Sequence, residues 1–336
     1  MARGAADIRQ VAALAGVSVG TVSNVLNRPD MVGATTRRAV LRAIDELGYV
    51  RNGSAARLRS ARSDIVGLVV LDAANPFFTE VARGAEEELV RRGLSAVVCN
   101  SAGSIERQDR HLRFLDEQRV AGVLITPVDP HNAAPGLARL RERGLSVVLV
   151  DEDDADRASC SVAVDDARGG ELAGAHLLGL GRRRLVFVGG PGSVRQSEDR
   201  LAGLRRAAAG HPGVVVEVVR VAALDGRSAH AVIDRVLAHE PDAVFCANDT
   251  MALGILRGLF ERGRSVPDDV ALVGFDDIEF AQLAAVPLTS VRQPAEQIGR
   301  AGAELLLDEC SDPDEHSHRH VDFTPELVVR RSTVGR

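Results

Sequence analysis

The chain has 336 residues, 45% of them hydrophobic, and a formal net charge of −6. That length and apolar content can bury a sizeable core split into about two or three domains, which excludes a disordered acidic tail. No apolar run is long enough to cross a bilayer, and MARGAADIRQ at the start lacks a hydrophobic segment behind its charges, so a cytoplasmic protein without membrane contact is expected.

Charge is unevenly placed. Residues 1–62 hold ten arginines against Asp7, Asp30, Asp45 and Glu46, a net of +6, while the remainder carries −12. Phosphate backbones attract the first part and repel the second. Every basic residue is arginine, whose planar fork suits bidentate contacts to phosphate and guanine. Cys99, Cys160, Cys246 and Cys310 lie far apart with no C-x-x-C pair, which argues against a zinc site or a disulfide framework and for packing roles.

In chain order, Asp7 and Gln10 form a capping-box pattern, so a first helix should start near Ile8 and turn Ile8, Val11, Ala12 and Leu14 toward a core before stopping at Gly16. Ser18 is a good N-cap for a second helix in which Val22, Val25 and Leu26 make one apolar face. Val19, Gly20, Ser23 and Asn24 then point away. A third helix, from about Ala34 to Leu47 with a Gly48 stop, puts Val40, Ile44 and Leu47 on one side. This is the pattern of a helix-turn-helix, whose second helix enters the major groove.

From Asp64 onward short apolar runs alternate with helical stretches. The runs are 65–71, 95–99, 122–126, 146–150, 184–189, 243–247 and 270–275; the helical stretches include Phe78–Arg92, Ile105–Glu117, Asp166–Leu180 and Asp249–Glu261. Continuous apolar strands with helical crossovers predict doubly wound parallel sheets of an α/β fold. Some ten strands are many for one sheet, so two lobes are expected, with the chain crossing between them near Thr126–Val128 and again late. Ligands in such folds sit at the carboxyl ends of strands, where Asp72, Thr126, Asp151, Glu152, Asn248, Asp249, Asp276 and Asp277 gather, with Phe77 and Phe78 adding rings. The plainer reading of these residues is that Asp and Asn cap helices and the phenylalanines pack in the core.

The chain resembles the LacI/GalR family of transcription regulators over essentially its full length. The likeness rests on VAALAGVSVGTVSNVLN at 11–27, AIDELGYVRN at 43–52, IVGLVV at 65–70, RLAG at 200–203, CANDTMALG at 246–254, VPDDVALVGFDD at 266–277 and LTSVRQP at 288–294, in matching order and spacing. It implies a helix-turn-helix domain at 1–51, a hinge helix or linker at 52–63, and a two-lobed core at 64–336 that resembles periplasmic sugar-binding proteins. It further implies a homodimer on a palindromic operator, regulation by a small effector with a sugar as first choice, repression, and no enzymatic activity, cofactor or metal.

Residue by residue, the resemblance places Ser18, Val19, Gly20, Thr21, Ser23, Asn24 and Asn27 on the DNA-reading helix, and Leu58 with Arg59 in the hinge, Leu58 as the minor-groove wedge. It places Phe77, Phe78, Thr126, Glu152, Leu224, Asn248, Asp276 and Gln293 around the effector. Two departures stand out. Glu198 occupies a position where sugar-binding members often carry arginine, with Arg195 nearby as a replacement, and Leu224 stands at a frequently aromatic place.

Two alternatives share the fold. A nucleotide-binding enzyme is suggested by GGPGS at 189–193, but G-x-G-x-x-G and G-x-x-x-x-G-K-[ST] are absent and a plain glycine turn explains it better. A solute-binding protein would need an export signal and has no use for the first 60 or so residues. Finally, His316, His318 and His320 in DPDEHSHRH read as an exposed loop rather than a metal tract.

Overall fold

The computed structural model describes residues 6–49, 63–129, 135–154, 157–313 and 315–335. Two compact units divide at Arg62, and each is taken by itself.

The first unit contains α1 (Ile8–Ala15), α2 (Val19–Asn27) and α3 (Ala34–Leu47). Asp7 Oδ1 accepts from the Arg9 and Gln10 amides at 2.8 and 2.9 Å, while the Asp7 amide donates back to Gln10 Oε1 at 2.9 Å, closing the capping box. A cap of this kind contributes about 1 kcal/mol. Gly16 ends α1 at φ 66°, a left-handed conformation that strains any residue with a side chain. Ser18 Oγ then accepts from the Thr21 amide at 3.0 Å and starts α2. Val11, Ala12, Val22, Val25, Val40 and Ala43 form the shared core, flanked by the half-buried Ile8, Ala15, Leu26, Ile44 and Leu47. Leu14 does not join them: it is 47% exposed, because the stripe runs through 8, 11, 12 and 15 at helical spacing and leaves position 14 off its edge.

The second unit holds two parallel sheets. In chain order the elements of the first lobe are β1 (Ile65–Val70), α4 (Pro76–Arg91), β2 (Ser95–Asn100), α5 (Ile105–Glu117), β3 (Gly122–Ile125), α6 (Pro135–Glu142), β4 (Ser146–Val150) and β5 (Cys160–Val164). The second lobe follows with α7 (Asp166–Gly179), β6 (Arg184–Gly189), α8 (Arg195–Ala208), β7 (Val215–Arg220), α9 (Gly226–His230), α10 (Ile233–Leu237), β8 (Ala243–Cys246), α11 (Asp249–Glu261), β9 (Ala271–Asp276), α12 (Glu279–Leu283) and β10 (Thr289–Arg292). The remaining elements are α13 (Ala295–Ser311), β11 (His320–Phe323), β12 (Glu326–Val328) and α14 (Arg331–Val334).

Strand order is β11-β5-β4-β3-β1-β2 in one sheet and β12-β10-β9-β8-β6-β7 in the other. All pairings are parallel except β12 against β10. The central strands β3, β4, β8 and β9 are buried along their whole length, as continuous apolar runs covered on both faces require, whereas the edge strands β2 and β7 are half exposed. Phe187 and Phe245 pack edge to face at 5.4 Å in the second lobe, each side chain contributing about 1.5–3 kcal/mol by burial.

The chain passes between lobes three times; late passages occur as the sequence pattern suggests, but the early one lies elsewhere. Thr126–Val128 stays inside the first lobe, since β3 and β4 are neighbours there. The crossings fall at Asp165, after β5; at Gln293–Pro294, after β10; and at 324–325, between β11 and β12. The early crossing is misplaced because β5 is hidden. Parallel strands are usually joined through a helix, but β4 and β5 pair in parallel with only residues 151–159 between them.

One close contact fixes the second lobe's cleft side. A Cβ on Gly203 would lie 1.9 Å from the Ala167 carbonyl oxygen and one on Gly170 would lie 2.0 Å from the Arg200 carbonyl oxygen, so α7 and α8 cross backbone to backbone at a glycine pair. Gly84 and Gly299 join α4 and α13 in the same way in the first lobe.

Candidate effector cleft and DNA-reading helix

The carboxyl ends of both sheets face each other, and the polar residues there make one network. Asp276 ends β9 with φ 102°, and Asp277 and Asp151 also take positive φ, 55° and 57°. Such conformations cost free energy for residues other than glycine and gather where a site fixes them. Asp276 accepts from Asn75 Nδ2 of the first lobe at 3.0 Å and from Gln293 Nε2 at 2.8 Å.

Behind it lies Arg200, 6% exposed. Its Nε donates to Asp166 at 2.8 Å, its Nη1 to the Ala247 carbonyl at 2.6 Å, and its guanidinium stacks 3.6 Å over the Phe275 ring. Only a planar, always charged fork satisfies these partners together. The glycine crossing of α7 and α8 lets Arg200 and Asp166 approach so closely.

A second bridge between lobes joins Glu152 to Arg195, which also donates to Asp199 at 2.6 Å. Gln196 Nε2 donates to the Asp151 carbonyl at 2.7 Å. Burial pushes the Glu152 carboxyl up to about 7 against the pull of Arg195, and burial pushes Asp276 up to about 6 against the pull of Arg200. Asp151 is raised well above the usual carboxylate range by burial and by Asp166. For Glu152 the native state therefore holds a proton that the unfolded chain has lost. Its stabilising effect is complete below the unfolded value of 4.5 and disappears as pH rises through about 7. Glu152→Gln should accordingly flatten the loss of stability between about pH 5 and pH 8 by on the order of 2–4 kcal/mol, measured by urea unfolding at both ends. An unchanged slope would place the proton elsewhere.

Of the residues singled out from sequence, Phe77, Phe78, Leu224, Asn248 and Asp276 line one cavity of about 30 Å³ together with Arg200. The two rings meet edge to face at 5.1 Å. Glu152 and Arg195 stand beside it as the bridge just described, and Gln293 braces Asp276. Thr126 is not part of its lining: it is buried and donates to the Val150 carbonyl at 2.8 Å, stitching β3 to β4. Asn248 serves as the cap of α11, accepting from Met251 N at 2.9 Å and donating to the Leu224 carbonyl at 3.0 Å. Asp249 is likewise taken up internally by Ile278 N and Ser290 Oγ. Glu198 pairs with Arg220 at the surface, and the guanidinium in the cavity wall comes from Arg200, not Arg195. Sequence reasoning passed over Arg200, Asn75 and Gln196 as contacts, although Arg200 opens the RLAG motif.

On the headpiece, Ser18, Val19, Gly20 and Asn24 are exposed along α2, with Val19 42% exposed despite being apolar. Thr21 and Ser23 are half buried, and the Thr21 hydroxyl shares a hydrogen bond with Ser18 Oγ at 2.9 Å. The side chain of Asn27, and Leu58 and Arg59 of the hinge, lie outside the described residues. Among the described residues no helix is long and apolar enough to cross a membrane.

A helix-turn-helix carried by the same chain as a two-lobed cleft defines a DNA-binding regulator with a ligand-sensing core. The description "Bacterial regulatory proteins, lacI family" matches residues 7–52, and "Periplasmic binding protein-like domain" matches residues 175–333. The HTH-type transcriptional repressor PurR of Vibrio campbellii is 34% identical over 97% of this chain and 98% of its own length. Among solved structures, the transcriptional regulator CelR in complex with cellobiose is 34% identical, covers 97% of this chain and 99% of its own, and superposes with a TM-score of 0.71. The lac repressor dimer bound to operator and the anti-inducer ONPF is 27% identical over 98% of this chain and 99% of its own, with a TM-score of 0.83. The chain belongs to the lacI family: it is a DNA-binding transcriptional repressor, not an enzyme.

Proposed function

We propose that this repressor acts in the cytoplasm as a homodimer on a palindromic operator and that its effector is a neutral sugar. The domain limits follow the sequence reading, 1–51 for the DNA-binding domain, 52–63 for the hinge and 64–336 for the sensing core. The carrying observation is a set of buried polar atoms around the lobe interface that lack a hydrogen-bond partner among the described residues: Asp151 Oδ1 and Gln293 Oε1, both acceptors, and Arg195 Nη2, a donor. Of the three, Asp151 lines the cavity with Phe77, Phe78 and Leu224, and a sugar hydroxyl, which donates and accepts at once, meets its carboxyl in either protonation state. The aspartates around Arg200 disfavour an anionic ligand. Phe77, Phe78 and the aliphatic Leu224 line the same cavity, which at about 30 Å³ must widen by movement of the lobes to take a sugar ring, and the three then offer it apolar surface. The cellobiose complex named above and a LacI-family regulator of Enterococcus faecium with bound ribose, 27% identical over 81% of this chain with a TM-score of 0.73, support the reading.

A purine is the second reading, favoured by the PurR relatives. A thermal-shift and calorimetric screen of mono- and disaccharides against nucleobases and nucleosides separates the two, since a ligand that binds only the native state raises the melting temperature. Binding by a base and by none of the sugars would overturn the first reading. On the DNA side, Leu58→Ala should weaken operator binding roughly 10- to 100-fold, the scale of losing one wedge between base steps, while effector binding stays unchanged. Equal operator affinities in fluorescence anisotropy would remove the wedge from the mechanism.

A further inference from the structure

Far from the cleft, the amino-terminal edge of the first lobe's sheet gathers Cys160, Glu309, His316 and His318, whose donor atoms all lie within 4.8 Å of one another. Cys160 opens β5, Glu309 sits in the last turn of α13, and the two histidines lie in the connection from α13 to β11. The loop is exposed at Asp312, Pro313, Glu315, Ser317, His318 and Arg319, as expected from the sequence, but the His316 side chain turns inward and is only 9% exposed, and His320 is the first residue of β11.

The spacings are those of a coordination shell. Cys160 Sγ lies 3.1 Å from His316 Nε2 and 3.9 Å from His318 Nδ1, and Glu309 Oε2 lies 4.0 and 3.9 Å from the same nitrogens. A tetrahedron with metal–ligand bonds of about 2.0–2.3 Å has edges of about 3.3–3.8 Å. The supporting contacts also fit. The Arg319 amide donates to Cys160 Sγ at 3.3 Å, as backbone amides do to metal-bound thiolates. Ser146 and the Val147 amide hold the Glu309 carboxylate, yet its Oε2 is buried without a hydrogen-bond partner among the described residues. A thiol donating to His316 would explain one contact and leave that oxygen and the second histidine without a reason to converge. His320 stays outside the group because its Nδ1 bonds with Ser161 Oγ at 2.8 Å.

We propose that these four side chains bind a divalent ion of the zinc class in a closed, four-ligand structural site. One thiolate, two imidazoles and one carboxylate favour zinc over magnesium or calcium, which prefer oxygen shells, and four protein ligands leave no open position for catalysis. The ion ties the end of α13 and the approach to the edge strand β11 to the start of β5, on the side of the sheet away from the effector.

The test uses the full chain, stripped with a chelator and titrated with Zn(II) or Co(II). One equivalent should bind per chain and raise the melting temperature. Co(II) should show the visible d–d bands of a tetrahedral centre and a thiolate-to-cobalt charge-transfer band that Cys160→Ser abolishes. His318→Gln, at a side chain 35% exposed and so tolerant of change, should weaken Zn(II) binding more than about 100-fold with an unaltered circular dichroism spectrum. If Cys160→Ser fails to fold, the cobalt spectrum of the unsubstituted chain and the His318→Gln titration still decide. Lack of a charge-transfer band, or equal Zn(II) affinity in His318→Gln, overturns the proposal.

Discussion

Arg200→Ala is expected to cost the core about 3–5 kcal/mol, the loss typical of removing one partner from a buried ion pair. Arg200 donates to Asp166 and the Ala247 carbonyl and lies over Phe275, and its charge faces Asp166, Asp276 and Asp151 together. Without it, the buried Asp166 and Asp276 lose their cation and a backbone carbonyl loses its donor. Urea unfolding measures the effect. Arg200→Lys should rescue little, because an ammonium cannot serve Asp166, the carbonyl and the ring in one plane. In an Asp166→Asn background the cost of Arg200→Ala should fall, since one of the charges it balances is gone. Additive costs in that double-mutant cycle would show that Asp166 is not the partner that holds Arg200.

Asp276→Ala is expected to abolish the effector response while leaving operator binding nearly unchanged. Asp276 is the acceptor that draws Asn75 of the first lobe and Gln293 to one point in the second, and it forms part of the cavity wall. Losing a charged acceptor in such a place costs about 2–5 kcal/mol of ligand binding, more than about 30-fold in affinity. Operator affinity without effector should change little, because Asp276 lies in the sensing core and the helix-turn-helix domain is the other unit. Asp276→Asn keeps the shape and removes the charge, so its effector affinity separates hydrogen bonding from electrostatics. A full effector response in Asp276→Ala would move the binding site away from the lobe interface.

Elements with strong local signals were legible. The three headpiece helices follow from Asp7, Gln10, Gly16, Ser18 and Gly48, residues whose capping chemistry acts within four positions. The central strands follow from their unbroken apolar runs. What escaped depends on distant partners. β5 has no helix before it to announce a crossover, and the short strands β11 and β12 gain meaning only by pairing with β5 and β10. Arg200 looks like one arginine among many until Asp166, Phe275 and Ala247 surround it. Thr126 illustrates the opposite case, a polar residue at a strand end consumed by its own backbone neighbourhood, whereas Asn248 caps α11 and still lines the cavity. The histidine tract reads as an exposed loop without fixed ligand geometry because its companions Cys160 and Glu309 are supplied by the fold and not by the nearby sequence.

The three passes between lobes bear on how the chain is made. The first lobe begins the core yet needs α13 and β11, and the second needs β12 and α14, all encoded after residue 294. A ribosome must therefore deliver residues up to about Phe323 for the first lobe and Val334 for the second before each can seal its hydrophobic surface, and until then the exposed edges of β5 and β10 can pair with the wrong chain. C-terminal truncations, even short ones, should thus be found in inclusion bodies rather than as a trimmed, working sensor.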